Sequence, residues 1–444
     1  MARKINSISS KVTILSKEKE PFDIPENWFW TDIDSINQYS GSSIDPMKQP
    51  NMTFELYSVP SSAGNYPEII TGSEIGSTKQ SVIKNDVLLC KINPRINRVW
   101  KVFQHTDYEL MASSEWIIIR NAVINSDYLM FCFRTQYFRE FMLSNVSGVG
   151  GSLMRAQPKF VKSYPIPIAP IAEQQRIVDR IESLFAKLDE AKEKAQAIVD
   201  GFELRKSAIL HEAFTGKLTE QWRQEKGIRL DSWEHKRYSE LCSIVRGGSP
   251  RPAGNPEFYN GNIPFMKVAD ITRNSGPYVN STEYTIKEAG LKKTRMVQAN
   301  TLLLTNSGAT LGVPAICTFC TTFNDGIAAF LGLNPEYLLF HYYFWISKTA
   351  ELRGINKGAA QPNLNTDIIG AVEIKLPSET EQKEIIHILD KLLGKEQQAR
   401  EAAESVLDQI DTMKKSILAR AFRGELGTND PTEESAVELL KTVL

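Results

Sequence analysis

The sequence IAEQQRIVDRI at residues 171–181 returns as ETEQKEIIHIL at residues 379–389, and this repeat decides the fold. The matching stretch runs ungapped from residue 166 to residue 218, and its second copy lies 208 positions later. At the far end, ILHEAFTGKL at residues 209–218 returns as ILARAFRGEL at residues 417–426. A duplicated unit of this size predicts two similar modules related by a pseudo-twofold axis. Such a protein suits a two-part target.

In each copy, apolar residues recur with the alternating spacing of three and four that is typical of a coiled-coil seam. Arg205 and Glu396 are the polar interruptions. The predicted seam consists of Ile177, Ile181, Leu184, Leu188, Ala191, Ala195, Ile198, Phe202 and Ile209 in the first copy, and of Ile385, Leu389, Leu392, Ala399, Ala403, Val406, Ile410, Met413 and Ile417 in the second. At about 1.5 Å per residue, residues 173–214 would form a helix about 60 Å long. A twofold axis would make the two helices antiparallel and close the seam within one chain, and an intermolecular coiled coil is the alternative.

Both copies end in a glycine, Gly216 or Gly424, after the last apolar turn, which indicates a helix carboxyl cap. Further on, Asp430-Pro431-Thr432-Glu433 has the form of a helix start. We expect a short final helix from about Pro431 to Thr442 that packs near the amino-terminal module.

Length and composition describe an ordinary globular chain. The 444 residues are 42% hydrophobic and 24% charged, which leaves room for two or more cored domains. No window approaches the 18 consecutive apolar residues of a membrane span, and the first residues lack the apolar core of a signal peptide. We therefore expect a cytoplasmic protein. Five cysteines, an odd and sparse count, favour free thiols over a disulfide framework.

The net charge of −1 argues at first against a nucleic-acid partner, but the charge is unevenly distributed. Residues 1–168 carry a net +2 and residues 219–377 a net +3, whereas residues 169–218 carry −1 and residues 378–444 carry −5. The two regions outside the repeated helices are mildly basic. This distribution permits DNA binding without demonstrating it.

Residues 23–168 and 230–376 contain short β-rich runs broken by Gly, Pro, Asn and Ser, which indicates mixed α+β modules. The two regions share landmarks but otherwise diverge. The landmark pairs are Trp28 with Trp233, Asn85-Asp86-Val87 with Ala299-Asn300-Thr301, and Gln157-Pro158 with Gln361-Pro362. Near-constant helices beside variable modules are expected if each module reads a different feature and the helices only set a distance.

The predicted domain organisation has seven parts. They are an N-terminal extension (1–22), a first module (23–168), a central spacer helix (169–218), a linker (219–229), a second module (230–376), a second spacer helix (377–426) and a tail with a short helix (427–444).

Further motifs carry a resemblance to a known family. In the first module they are Tyr57-Ser58-Val59-Pro60, the run from Gly72 to Lys79, the run from Asp86 to Arg95, and Ser114-Glu115-Trp116. In the second they are Arg246-Gly247-Gly248-Ser249-Pro250 and the run from Gly358 to Asn365. Each module then leads through a short Ile- and Pro-containing run into Glu-Gln-x-x-Ile. In the order, duplication and spacing of these motifs, essentially the whole chain resembles the specificity subunit of a type I restriction-modification system.

The resemblance implies two mixed α/β target-recognition domains separated by two long antiparallel coiled-coil helices, in a pseudo-twofold circular arrangement. Each domain would read one half of a bipartite, asymmetric site in double-stranded DNA, and the helices would set the length of the unread gap. The family's helices dock two methyltransferase subunits, and motor-nuclease subunits join that core. The resemblance also places S-adenosylmethionine, ATP and Mg on those partners, with no cofactor on this chain.

The sequence lacks the usual catalytic signatures. There is no Gly-x4-Gly-Lys-Ser/Thr phosphate loop, no His-Glu-x-x-His, and no Asn/Asp-Pro-Pro-aromatic motif of an adenine methyltransferase. Cys317 and Cys320 form a lone pair without the partner pair that a zinc site needs. Gly148-Val149-Gly150-Gly151 lacks the strand-and-helix context of a phosphate loop and is interpreted as a connection. We therefore expect neither a catalytic site nor a metal site on this chain.

Base reading needs donors and acceptors on loops that can enter the major groove, with cations near the phosphates. The loops that qualify follow predicted strands or contain glycine. The candidate DNA-binding residues are Lys91, Asn93, Arg95, Arg98, Lys101, Arg246, Ser249, Arg251, Asn306, Ser307, Thr310, Lys357, Gln361 and Asn363. For any one of them the alternative is a solvated surface residue or a local cap.

Three other interpretations stay open on the sequence alone. The chain could be the recognition subunit of another bipartite-site restriction-modification system. It could be a DNA-modifying enzyme with an unrecognised active site, which would bind S-adenosylmethionine by itself. A coiled-coil scaffold without nucleic-acid function would show no salt-sensitive affinity for DNA.

Overall fold

The computed structural model describes residues 13–148, 154–355 and 363–439. The chain divides into two compact units. Unit 1 comprises residues 1–195 and 405–444, and unit 2 comprises residues 196–404. Each unit therefore contains one of the two β-rich regions together with part of each repeated helix.

Unit 1 opens with a mixed α+β region. Its strands are β1 (Phe29–Asp32), β2 (Ser43–Ile44), β3 (Thr53–Tyr57), β4 (Glu68–Thr71), β5 (Lys79–Ser81), β6 (Val87–Cys90), β7 (Val99–Lys101), β8 (Glu109–Ala112), β9 (Trp116–Ile119), β10 (Val146–Ser147), β11 (Arg155–Ala156) and β12 (Pro165–Ile168). Its helices are α1 (Ile33–Ile36), α2 (Ser126–Phe133), α3 (Gln136–Ser144) and α4 (Pro158–Val161), and the long helix α5 (Ile171–Thr215) follows.

The strands of unit 1 form a five-stranded mixed sheet and a three-stranded antiparallel sheet. Their orders are β2-β5-β8-β3-β4 and β7-β6-β9, and β1 pairs with β12 and β10 with β11. All four residues of β6 are buried. Because side chains alternate across a strand, Val87 and Leu89 join one core cluster, whereas Leu88 and Cys90 join another. The residues after β6 are thereby held at the edge of a fixed core.

Unit 2 is built in a similar way. Its helices are α6 (Glu220–Lys226), α7 (Tyr238–Leu241), α8 (Val268–Thr272), α9 (Glu288–Leu291), α10 (Leu338–Ile355) and α11 (Thr366–Gly370), and the second long helix is α12 (Glu379–Ala421). Its strands are β13 (Glu234–Arg237), β14 (Ser243–Arg246), β15 (Tyr259–Met266), β16 (Tyr278–Val279), β17 (Tyr284–Ile286), β18 (Arg295–Val297), β19 (Thr301–Thr305), β20 (Pro314–Cys317), β21 (Thr321–Phe323), β22 (Ile327–Leu331) and β23 (Glu373–Leu376).

The central strand of unit 2 is β19, in the five-stranded sheet β14-β22-β19-β20-β16. A second sheet has the order β17-β15-β21-β18, and β13 pairs with β23. As in β6, alternate residues of β19 enter different clusters, Leu302 and Leu304 one and Leu303 the other. The flanking strands run antiparallel to both central strands, so β7-β6-β9 corresponds to β20-β19-β22.

The two long helices predicted from the repeat are confirmed, with 45 residues in α5 and 43 in α12. Both glycine caps are confirmed as well. Gly216 has φ +83° directly after α5, and Gly424 has φ +74° in the turn after α12. These are left-handed conformations that glycine adopts without steric cost.

Within each unit the helix segments pack antiparallel. In unit 1, Asp189 pairs with Lys414 at 2.6 Å, and the earlier residues Ile177 and Ile181 share a core cluster with the later Phe422. Residue numbers that increase along α5 therefore lie opposite residue numbers that decrease along α12.

Unit 2 repeats this order, with the Arg400 guanidinium 4.9 Å from the ring of Phe202 and an ion pair between Arg205 and Glu396 at 2.7 Å. The two polar interruptions of the predicted seam are therefore each other's partners.

Part of the predicted seam is not buried. Ala399 is exposed, and the exposed fractions are 37% for Ile198, 42% for Val406 and 44% for Met413. A helix of about 3.6 residues per turn drifts by about 20° per heptad against a strict repeat of 3.5, so heptad positions rotate away from the contact line. At the outer ends, Leu210 and Leu418 are buried next to the predicted Ile209 and Ile417.

The predicted final helix is shorter than expected. The described helical turn is a 3₁₀ turn at Ala436–Leu439, whereas Glu433 closes a turn by donating its amide to the carbonyl oxygen of Asp430 at 3.1 Å. The side chain of Asp430 instead caps the amide of Thr432 at 2.9 Å. The expected position is confirmed, because Ala436 is buried and its amide donates to the carbonyl oxygen of Asn27 at 2.9 Å.

Candidate functional site

Three chain segments meet where β6 ends, and we call this place the first corner (residues 91–93, 115 and 154–156). The amide of Lys91 donates to the carbonyl oxygen of Glu115 at 2.9 Å, and the carbonyl oxygen of Lys91 accepts from the amide of Ala156 at 2.9 Å. Ile92 forms an isolated bridge with Arg155. The loop that holds Lys91 and Asn93 is therefore fixed by backbone bonds to two distant segments.

The second corner (residues 306–307, 326 and 363–364) has the same backbone bonds at the end of β19. The amide of Asn306 donates to the carbonyl oxygen of Gly326 at 2.9 Å, and the amide of Leu364 donates to the carbonyl oxygen of Asn306 at 2.8 Å. Ser307 bridges Asn363. Lys91 and Asn306 thus occupy equivalent backbone positions and carry different side chains.

The equivalence of Lys91 and Asn306 shifts the alignment of the two modules by one residue relative to the sequence comparison. The sequence pairs Asn85 with Ala299, but the structure pairs it with Asn300, since both asparagines precede the central strand with positive φ, at +75° and +58°. Asparagine tolerates this left-handed conformation better than most residues.

A basic loop lies beside the second corner. Asp325 accepts a hydrogen bond from the Ser249 hydroxyl at 2.7 Å and pairs with Arg251 at 3.6 Å, and its carbonyl oxygen accepts from Nε of Arg246 at 2.7 Å. A Cβ on Gly247 would lie 2.3 Å from the carbonyl oxygen of Asn324, so this approach requires glycine. Because Asp325 directly precedes Gly326, these contacts place Arg246, Ser249 and Arg251 beside the segment that holds the second corner.

Two candidate residues are buried, Lys101 and Asn306. Lys101 is only 8% exposed and pairs with Asp127 at 2.6 Å, so its charge is already matched by a neighbouring carboxylate. Asn306 is 1% exposed, and its backbone groups hold the second corner together. The strand pattern that placed both residues near loops does not reveal which way each side chain turns.

Three other candidates, Arg95, Arg98 and Thr310, lie in the segments that follow β6 and β19. Arg95 is exposed, and its carbonyl oxygen accepts a hydrogen bond from Arg139. Arg98 lies two residues beyond the 3₁₀ turn Pro94–Ile96 and lines a groove. The carbonyl oxygen of Thr310 accepts from the Thr305 hydroxyl at 2.6 Å. Lys357 and Gln361 lie outside the described residues, as does most of the glycine-rich connection at 148–151.

Sequence comparison marked Trp28, Trp233 and the Glu-Gln pairs as separate landmarks, and the structure joins them. In unit 1 the Trp28 indole N–H donates to Glu173 at 2.7 Å, and in unit 2 the Trp233 indole N–H donates to Glu381 at 2.9 Å. Both carboxylates belong to fully buried residues at the start of a long helix. We call this arrangement the tryptophan–glutamate clasp.

Each clasp is completed by the segment that follows the other long helix. Glu381 accepts from the Thr219 hydroxyl at 2.7 Å and pairs with Arg223 at 2.7 Å, both from the segment after α5. Glu173 accepts from Asn429 at 2.9 Å, from the segment after α12. Burial raises the pKa of Glu173, although its hydrogen bonds oppose this shift. The clasps are structural sites that tie helix starts to helix exits within each unit.

Neither a metal site nor a membrane span is found in the part of the chain that the structure describes. The described side chains contain no group of three or more His, Cys, Asp or Glu residues that could hold a metal ion. None of the described helices combines the length and apolar character needed to cross a bilayer.

Comparison with known proteins finds proteins that are similar to this chain. Residues 231–404 match the family model of the type I restriction modification DNA specificity domain. This part of the chain, which lies within unit 2, is therefore similar to type I DNA specificity domains. The specificity subunit of the Escherichia coli type I restriction enzyme EcoBI is 28% identical over 59% of this chain, and that alignment spans 58% of the relative's own length.

Two further matches extend over more of the chain. The Escherichia coli EcoKI specificity subunit is 23% identical over 78% of this chain and 76% of its own length. The crystal structure of the HsdS subunit from Thermoanaerobacter tengcongensis matches with a TM-score of 0.69 at 21% identity, covering 91% of this chain and 99% of that chain. This likeness shows that the specificity-subunit fold is shared.

Proposed function

We propose that this chain is the DNA-specificity subunit of a type I restriction-modification complex. Its two target-recognition domains, residues 23–168 and 230–376, each read one half of a bipartite, asymmetric site in double-stranded DNA. The observation that carries this proposal is the pair of corners, which share one backbone arrangement but present different side chains.

Base identity is read by side-chain donors and acceptors in the major groove, whereas backbone position only sets the register. Near the first corner the polar groups come from Lys91, Asn93 and Arg95, and near the second from Arg246, Ser249 and Ser307. A common frame with different side chains supports two readers of different half-sites. We retain Arg98, Arg251, Thr310, Lys357, Gln361 and Asn363 as candidate contacts.

The long helices support the other half of the proposal. We infer that the spacer segments 169–218 and 377–426 set the gap between the half-sites. The exposed faces of α5 and α12 are then available to dock two methyltransferase subunits, with motor-nuclease subunits joining that core. Methylation and cleavage take place on these partners, which hold S-adenosylmethionine, ATP and Mg, while this chain is non-catalytic and acts in the cytoplasm.

The test is to express the full chain with its co-encoded methyltransferase and to sequence the sites that become methylated in random DNA. Two short half-sites at constant spacing, methylated only when this chain is present, are expected. A single uninterrupted motif, or methylation unchanged without the chain, would overturn the proposal.

Exchanging residues 23–168 for the matching region of another specificity subunit gives a sharper control. Only one half-site should change, because each domain reads separately. A change in both half-sites would contradict independent reading.

A further inference from the structure

A groove of about 490 Å³ in unit 1 is lined by four cationic side chains. Arg98 comes from the loop after β6, Arg134 and Arg139 come from the end of α2 and from α3, and Lys415 comes from α12. Among the described residues, no carboxylate lines this groove. We call it the basic groove.

Among the described residues, the positive charge of the basic groove is only partly offset from nearby, since Asp127 opposes the effect of burial on Arg134. The carboxylates of Asp127 and Asp189 are already engaged, the first with Lys101 and the second with Lys414, each at 2.6 Å. Burial lowers the pKa of Arg134, which is the direction expected when a cation is desolvated without full compensation. Holding these cations together costs free energy that a bound anion would recover.

Two of the arginines are held in place by backbone carbonyl oxygens. Arg134 donates to the carbonyl oxygen of Val99 at 3.0 Å, and a terminal nitrogen of Arg139 donates to the carbonyl oxygen of Arg95. Nε of Arg139 is buried and has no hydrogen-bond partner among the described residues. These carbonyl contacts orient the guanidinium groups without cancelling their charge.

Unit 2 has a groove of about 970 Å³ in the equivalent place, which serves as an internal control. There Arg353 donates to the carbonyl oxygen of Leu311 at 2.9 Å, as Arg139 does to Arg95. This groove is lined by Lys206, Lys348, Arg353 and Lys375, but also by Glu203, Glu351 and Glu373. Lys348 is paired with Glu351 at 2.7 Å. The fold therefore provides a groove in both units, but among the described residues only the groove of unit 1 has charged lining residues that are all cationic.

We propose that the basic groove of unit 1 binds a phosphate group, with Arg98, Arg139 and Lys415 as its ligands. The volume suits one such group with its neighbouring sugar, and arginine is well matched to phosphate oxygens. Resting on the proposed function, we assign the phosphate to the DNA backbone beside the half-site read by residues 23–168. A free nucleotide shares the same chemistry and is the other source to be tested.

The experiment uses the full chain and its Arg98→Ala, Lys415→Ala and Lys415→Arg variants. Lys348→Ala in the equivalent groove of unit 2 is the matched control. Affinity for duplex DNA is measured between about 50 and 200 mM salt, and thermal denaturation checks that each variant is folded. A second arm measures the binding of labelled ATP.

Loss of one phosphate contact should lower the slope of log K against log salt by about 1 and weaken DNA binding about tenfold. We expect this result for Arg98→Ala and Lys415→Ala, but not for Lys415→Arg or Lys348→Ala. If the DNA slopes are unchanged but ATP binds and the two alanine variants abolish it, the groove takes a free nucleotide instead.

If the wild-type chain selects DNA sites and neither arm responds to the variants, the inference is wrong although the proposed function stands. If the wild-type chain selects no DNA sites, the proposed function fails, and the ATP arm alone decides the groove.

Discussion

Substitution of Glu381 by alanine should selectively open the start of α12. The carboxylate is fully buried and accepts hydrogen bonds from Trp233 and Thr219, and it pairs with Arg223, whose side chain is only 6% exposed. Its removal leaves a buried guanidinium without a counter-charge. Breaking such a pair from one side costs about 3–5 kcal/mol.

The assay is hydrogen exchange of peptides that cover residues 219–233 and 379–389. At about 1.4 kcal/mol per tenfold change, a loss of about 3 kcal/mol speeds exchange through local opening by about 100-fold. Glu381→Gln keeps an acceptor for Trp233 and should cost less, about 1.5–3 kcal/mol for the lost charged hydrogen bonds.

Glu404→Ala is the matched control, because Glu404 lies on the same helix in an exposed pair with Arg400. Its loss should change local stability by less than about 1 kcal/mol. If Glu381→Ala behaved like this control, the clasp would not hold the helix start and the reasoning would be refuted.

Three more predictions follow from individual contacts. Burial raises the pKa of Glu173, so the protonated form of its carboxyl group is favoured in the folded state. The resulting stabilisation is present below the ordinary pKa of 4.5 and is lost as the pH rises through the folded pKa. Glu173→Gln should therefore gain stability relative to wild type as the pH rises, and a pH-independent difference in urea denaturation would contradict this. Lys101→Ala should lower the unfolding free energy by about 2 kcal/mol through the loss of its ion pair with Asp127. The slope of log K for DNA binding against log salt should stay unchanged. A reduced slope would indicate that Lys101 contacts a phosphate. Inserting four residues between Ala195 and Ile198 should change the spacing between the methylated half-sites while both half-sites are kept. The reason is that each added helical residue gives a rise of about 1.5 Å and a rotation of about 100°. Unchanged spacing would show that the helices do not set the distance between the half-sites.

The repeat made the long helices predictable, because apolar spacing and glycine caps are local signals. Gly216 and Gly424 end the helices as their positions indicate. The same periodicity placed Ile198 and Val406 in the seam, whereas both side chains are exposed in the structure. A heptad pattern carries no information about the rotation that accumulates along a real helix.

The clasps show which contacts a sequence pattern does not predict. Trp28 and Glu173 are 145 positions apart, and Trp233 and Glu381 are 148 apart, yet each pair is in direct contact. Sequence comparison could mark these residues as shared between the copies. It could not pair them, because long-range contacts depend on how the strands and helices pack.

The sequence by itself determined the duplication, the two long helices with their glycine caps, the mixed α+β character and the resemblance to type I specificity subunits. Tertiary structure alone decided that Lys101 turns into the core and that Lys415, more than 270 positions beyond Arg139, lines the same groove. The physical reason is that the ionic role of a cation depends on its burial and on its nearest carboxylate. Both quantities are set by the packing of elements that are distant in the chain, and neither is visible in a local pattern of charge.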